Sequence, residues 1–210
     1  MKNAIHAVAL AALTATAVNA RAVEIDFDDL AIGTKLSTQY DGVVFSANAL
    51  VGDQYATNTD MTVVSSTGSD VIGLGKPNLV SGNVLRSYSA WLNETGDPSF
   101  RISFSDAITS FSADFAGVFT SSDVQLLAYD GSTLLGSTAG ASNKAQFTLS
   151  IAGDHITSVV VVPGTLSDYV AVDDIQYMAA AVPEPSTWAL STMGLGFVAW
   201  VSRRKKHQRI

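Results

Sequence analysis

Apolar and polar positions alternate along most of the middle of the chain, which is the two-residue period of a half-buried strand. Phe100-Arg101-Ile102-Ser103-Phe104 alternates, and Phe111, Ala113 and Phe115 do so around Ser112 and Asp114. Phe147-Thr148-Leu149-Ser150-Ile151 repeats the pattern. Ile156 to Val162 is rich in β-branched residues and stops at Pro163-Gly164. Val124–Tyr129 and Ser132–Leu135 flank Asp130-Gly131, a dipeptide that predicts a two-residue hairpin turn with positive φ. Further strands are predicted at Val23–Phe27, Val43–Ser46, Met61–Ser65 and Tyr169–Tyr177, with a weaker one at Val84–Trp91. No stretch of residues 21–181 sustains a helical period. Nine or ten strands predict an all-β fold, a single β-sandwich of jelly-roll type.

The two ends follow different rules. Met1 to Ala20 reads as a secretory signal peptide: Lys2 is the leading charge, Ala4 to Val18 the apolar core, and Val18-Asn19-Ala20 supplies small residues for cleavage. Ala20-Arg21-Ala22 is a second candidate cut. At the other end, Ser186 to Ser202 is 17 residues without a charge. As a helix it is about 25 Å long, the short end of what crosses a bilayer. Trp188 and Trp200 sit near its ends, where indole rings prefer the interface. Arg203, Arg204, Lys205 and Lys206 follow and would hold the C-terminus in the cytoplasm. Pro183 and Pro185 forbid helix just before the span and predict an extended, exposed strip. The expected layout is a signal peptide over 1–20, a β-sandwich domain over 21–181 and a terminal signal over 182–210. The last divides into the Pro183–Pro185 element, a transmembrane helix at about 186–202 and a basic end at 203–210.

Val182-Pro183-Glu184-Pro185, the apolar stretch and the basic end occur in that order. Together they resemble the tripartite PEP-CTERM sorting signal of Gram-negative bacteria, a segment also known as the ice-binding protein C-terminal domain. The resemblance implies an exosortase as partner, a membrane enzyme that recognises Pro183-Glu184-Pro185 and removes the tail. It also implies signal peptidase and the general secretion machinery as earlier partners. The protein would sit briefly in the inner membrane with its domain in the periplasm, then move to the cell surface or extracellular matrix. A plain single-span anchor with a proline-rich neck is the simpler alternative.

Charge sharpens this division. The chain carries 12 basic and 19 acidic residues, a net −7. Five of the basic residues lie in the tail and Lys2 in the first segment, and Glu184 is the one acid outside, so residues 21–181 hold six bases against 18 acids, a balance of −12. Such a domain does not seek nucleic acid or an anionic lipid surface. The chain has no cysteine, which excludes disulfides, thiol nucleophiles and thiolate metal sites.

Acids gather at both ends of the domain. On a strand Glu24, Asp26 and Asp28 share one face and Ile25 and Phe27 the other, while Asp173 falls on the apolar face with Ala171, Ile175 and Tyr177. A carboxylate there is costly unless paired or metal-bound. The opening Glu24–Asp29 and closing Val172-Asp173-Asp174-Ile175 resemble the first and last strands of jelly-roll carbohydrate-binding modules. That resemblance implies a structural Ca²⁺ held by Glu24, Asp26 and Asp173, with Asp28 and Asp174 in reserve; no other cofactor is expected. Strand caps or solvated acids are the alternative. The segment from Phe27 to Ser46 also resembles the opening of many exported PEP-CTERM β-sandwich proteins.

Glu24-Ile25-Asp26-Phe27-Asp28 faintly resembles the E-x-D-x-E strand of laminarinase-like glycoside hydrolases, whose two carboxylates do the chemistry. Here Asp28 is one carbon short and the motif opens the domain rather than lining a cleft. His155 is the one histidine of residues 21–181 and reads as an exposed turn residue. No nucleophile elbow, P-loop or dinucleotide fingerprint is present. Exposed aromatics suit sugar binding, and Trp91 with neighbouring Tyr88 is the best candidate, ahead of Tyr40, Tyr55 and Tyr169. Thr57-Asn58-Thr59 is too isolated to form an ice-binding array. The reading is therefore an exported, non-enzymatic surface or matrix protein, structural in the exopolysaccharide of a biofilm. The alternatives are a calcium-stabilised carbohydrate-binding module and, remotely, a glycoside hydrolase.

Overall fold

The computed structural model describes residues 22–48, 61–68, 79–87, 99–117, 124–140, 146–162, 170–180 and 192–195. Two compact units divide the chain, one spanning Ala20–Ala180 and the other holding the two terminal segments. The first is an antiparallel β structure of nine strands: β1 (Ala22–Ile25), β2 (Val43–Ala47), β3 (Thr62–Ser65), β4 (Asn83–Ser87), β5 (Phe100–Ala116), β6 (Gln125–Asp130), β7 (Thr133–Ala139), β8 (Gln146–Val162) and β9 (Val170–Ala179). The hydrogen-bonded order is β3-β4-β9-β5-β8-β6-β7, with β1 also on β9 and β2 also on β5.

β5 and β9 each pair with three strands, so one edge of each passes from one partner to another along its length, as in a bent, sandwich-forming sheet. β9 pairs with β4 through Val170–Val172 and with β1 through Ile175–Met178. β5 pairs with β2 through Phe100–Phe104 and with β9 from Ile108 to Ala116. The four short strands predicted between Phe100 and Val162 on this layer are two long ones, β5 and β8. The polar residues between their apolar runs form bulges rather than turns: the pairing passes from Ser103↔Ser158 to Ile108↔Ile156 and then Ser110↔Ala152. Each bulge bends a strand and moves its inward-facing set by one residue. Phe100 and Ile102 face the core before the β5 bulge, and Phe111, Ala113 and Phe115 after it.

The main core draws on every strand except β7, an edge strand with Leu134 and Leu135 exposed. Phe27 lies at its rim against Tyr40 and Phe45, ring centroids 6.2 and 6.4 Å away. A second, smaller cluster of Val80, Val84, Ala116 and Ala171 covers the opposite face of β4 and β9. The predicted hairpin is present, moved by one residue: Asp130 pairs with Thr133, so Gly131 and Ser132 make the link. Gly131 alone of the two takes positive φ, at 56°.

Candidate functional site

The acids predicted to matter meet at the corner where β1, β4, β5 and β9 converge. β1 ends at Ile25, and Phe27 turns the chain with φ 61°, a left-handed conformation rare for a bulky residue. The turn keeps Ile25 and Phe27 buried and leaves Glu24, Asp26 and Asp28 on the exposed side, as alternation predicts. Asp26 Oδ1 accepts the Asp28 amide at 3.1 Å. Asp28 Oδ1 accepts the Asn83 amide at 2.7 Å, and Asn83 Nδ2 donates back to the Leu30 carbonyl at 2.9 Å. These bonds tie the turn after β1 to the start of β4.

Asp173 is buried, at 1% exposure. Its Oδ2 accepts the Ser81 amide at 3.1 Å, and its Oδ1 has no partner among the described residues. Ser81 and Asn83 thus offer their amides to Asp173 and Asp28 on either side of Gly82. Gly82 takes φ 59°, and a Cβ there would overlap the Asp28 carboxylate. Asp173 does not share a face with Ile175 and Tyr177. β9 is bulged at Asp174, which has φ 44°, and the register passes from Ser112↔Gln176 to Asp114↔Asp173. Ala171 belongs to the small cluster and Asp173, two residues on, bonds to Ser81 beside it, while Val172, Ile175 and Tyr177 face the main core.

Electrostatics follow from this crowding. Burial pushes the Asp173 carboxyl up to about 7; the Ser81 and Asp174 amides pull against it, and the charges of Asp174 and Asp28 add to the rise. Asp174 is raised too, by burial first and then by Asp114, Glu24, Asp26 and Asp28. Asp114 is raised by burial, against a hydrogen bond from Thr148. Asp28 therefore faces both Asp173 and Asp174, whereas Glu24 and Asp26 face Asp174. Glu24 is also engaged by Gln176 Nε2 at 3.1 Å.

Among the described residues no three acids or histidines converge as a metal-binding group. The expected trio of Glu24, Asp26 and Asp173 lies in one neighbourhood without aiming at one point. A calcium ion here would be held by Asp173 Oδ1 and Asp28, with main-chain carbonyls and water completing its six to eight oxygens. The partnerless Asp173 oxygen is the one feature of the corner that suits such an ion, because the space beside Gly82 is already filled by the Asp28 carboxylate.

Of the other candidates, His155 lies in the bulged middle of β8 rather than at a turn between strands. It is exposed, with Nδ1 3.1 Å from Asp130 Oδ1. Tyr40 packs on Phe27 and Phe45 and donates to Asp29 Oδ1 at 2.8 Å, a bond that together with burial raises its own pKa. Trp91, Tyr88, Tyr55, Tyr169 and Thr57-Asn58-Thr59 lie outside the described residues, as do the signal peptide, Val182–Pro185 and Arg203–Lys206. Of the expected span only Thr192–Leu195 is described, as one helical turn, and no described helix is long and apolar enough to cross a membrane. Sequence reasoning missed Asp114 and Gly82. Asp114 gave only an ordinary alternation signal, and Gly82 none that tied it to Asp28.

The domain is similar to solved structures of low identity. The K2 cleaved adhesin domain of Lys-gingipain is 12% identical, over 75% of this chain and 99% of that one, with a TM-score of 0.48. A family 29 carbohydrate-binding module is 9% identical, over 79% and 96%, at 0.39. The family 32 module of C. perfringens NanJ, in complex with galactose, is 8% identical, over 69% and 99%, at 0.37. No curated protein matches the chain. Residues 181–206 match the PEP-CTERM protein-sorting motif, so the chain carries an exosortase sorting signal, which implies an exosortase as its processing partner, export, and a C-terminal membrane anchor before cleavage.

Proposed function

We propose that this is an exported, non-enzymatic protein that an exosortase processes and releases to the cell surface or exopolysaccharide matrix, where its sandwich serves as a structural component. The observation that carries the reading is the sorting motif at residues 181–206. The acidity of residues 21–181 supports it, since a domain at −12 stays off anionic membranes and remains soluble among polymers. Replacing Pro183, Glu184 and Pro185 together by alanine tests it in the producing cells. The wild-type chain should lose its tail and leave the membrane fraction; the variant should keep its full mass and stay there. Equal processing of both would remove the exosortase from the account.

A second reading concerns stability, and one observation favours it. Asp173 is a buried carboxylate with an unsatisfied oxygen, facing Asp28 across a glycine. A divalent cation, calcium by its preference for oxygen ligands, would neutralise that pair and lock β9 to the β1 turn and the start of β4.

A further inference from the structure

At the rim of the main core, where β1, β2, β5 and β9 come together, two ring side chains line an open groove. Phe104 and Tyr177 lie 5.0 Å apart between centroids, tilted by 50°, and both are only partly buried. Val23 and Ile108 extend this apolar wall. The β5 bulge that follows Ser103 turns Ser105 and Asp106 outward onto the opposite edge. Asp41 completes that edge from the turn before β2. The turn is fixed against β5: the Ser105 amide donates to the Gly42 carbonyl at 2.9 Å, and Gly42 has φ 73°. A Cβ on Gly42 would stand 2.9 Å from Ser105 Oγ. The groove holds about 350 Å³, and a second hollow of about 360 Å³ adjoins it, sharing Asp41, Gly42, Phe104 and Ser105. Each is at the lower end of small-molecule sites. Asp41 and Asp106 stand exposed on the groove's polar edge.

We propose that this groove binds neutral sugar rings of a polysaccharide, with Phe104 and Tyr177 against the ring faces and Asp41 and Asp106 accepting hydroxyl protons. A pyranose offers apolar C–H faces and an edge of hydroxyl donors, and the groove offers the complement of each. Carboxylates accept but do not donate when ionised, so a hydroxyl suits them and a second carboxylate does not. Asp41 already acts on this neighbourhood, since it adds to the burial that raises the Tyr177 phenol. The two acids therefore exclude uronic-acid polymers by like charge. The adjoining hollow has room for a neighbouring sugar, so a chain should bind better than a single ring. The inference rests on the reading that the protein works among exopolysaccharide, and it names the contact.

Affinity electrophoresis of the detergent-solubilised full chain tests it. The gels would contain the producing cells' own exopolysaccharide, a neutral glucan, a neutral mannan or a polyuronate. Retardation is expected in at least one neutral polymer and not in the polyuronate. Asp41→Asn and Asp106→Asn should each weaken it by about tenfold, the loss of one charge-assisted hydrogen bond, with unchanged melting temperature. Retardation that survives both substitutions would overturn the site and leave the matrix reading intact. Stronger binding to the polyuronate would overturn the ligand class. Absence of retardation in every gel, with the chain folded, would overturn the inference and polysaccharide contact with it, while processing at Pro183–Pro185 would still stand or fall on its own test.

Discussion

Asp173 concentrates the physical tension of the molecule in one side chain. Its carboxyl is raised from 3.8 to about 7, chiefly by burial, so the folded state holds a proton that the unfolded chain releases. The stability that this proton confers is complete below the unfolded value and is lost as pH rises through about 7. Asp174 and Asp114 move in the same direction. The melting temperature should therefore rise on going from pH 8 to pH 5, by an amount equivalent to about 2–3 kcal/mol. Calcium should raise it at pH 8 and do less at pH 5, where a proton competes for the same oxygens. Asp173→Asn should remove most of both effects and stabilise the apo domain at pH 8. Scanning calorimetry in calcium and in chelator checks this; a pH slope unchanged by the substitution would show that Asp173 does not set it.

Bulges decide what each strand presents to the core. Alternation identified many of the inward residues: Phe100 and Ile102, Phe111, Ala113 and Phe115, and Ile25 and Phe27 are buried, whereas Phe104, Phe147 and Ile151 are only partly so. It could not reveal that neighbouring runs belong to one strand, because a bulge needs no glycine or proline and leaves no mark in composition. The misplacement of Asp173 has that origin. Counting by twos from Ala171 carries it to the face of Ile175 and Tyr177, whereas the left-handed residue Asp174 interrupts the count. Ile175, fully buried just past this bulge, should be a costly site: Ile175→Ala should lower stability by about 2–5 kcal/mol in urea unfolding. Leu134→Ala on the edge strand β7, where the side chain is 51% exposed, should change it by less than about 0.5 kcal/mol. Equal costs would mean that β9 does not anchor the core.

At the scale of the whole molecule, the division of labour is written in composition. Acids fill residues 21–181, and a basic run closes a motif that marks the chain for export and cutting. That address was legible because Pro183–Pro185, the uncharged stretch and the basic end are contiguous. The corner of acids was half legible, since its members cluster in two short segments; that these meet, as β1 and β9 do, was implied by the resemblance to jelly-roll modules and not by the strand pattern. The groove was not: Val23, Asp41, Phe104 and Tyr177 are brought together by strand order, which alternation does not encode. The most direct test of the account is fractionation of the producing cells followed by intact-mass measurement. The account predicts the protein in the polysaccharide fraction, at a mass lacking the residues after the Pro183–Pro185 element. Full-length protein confined to the inner membrane would contradict it.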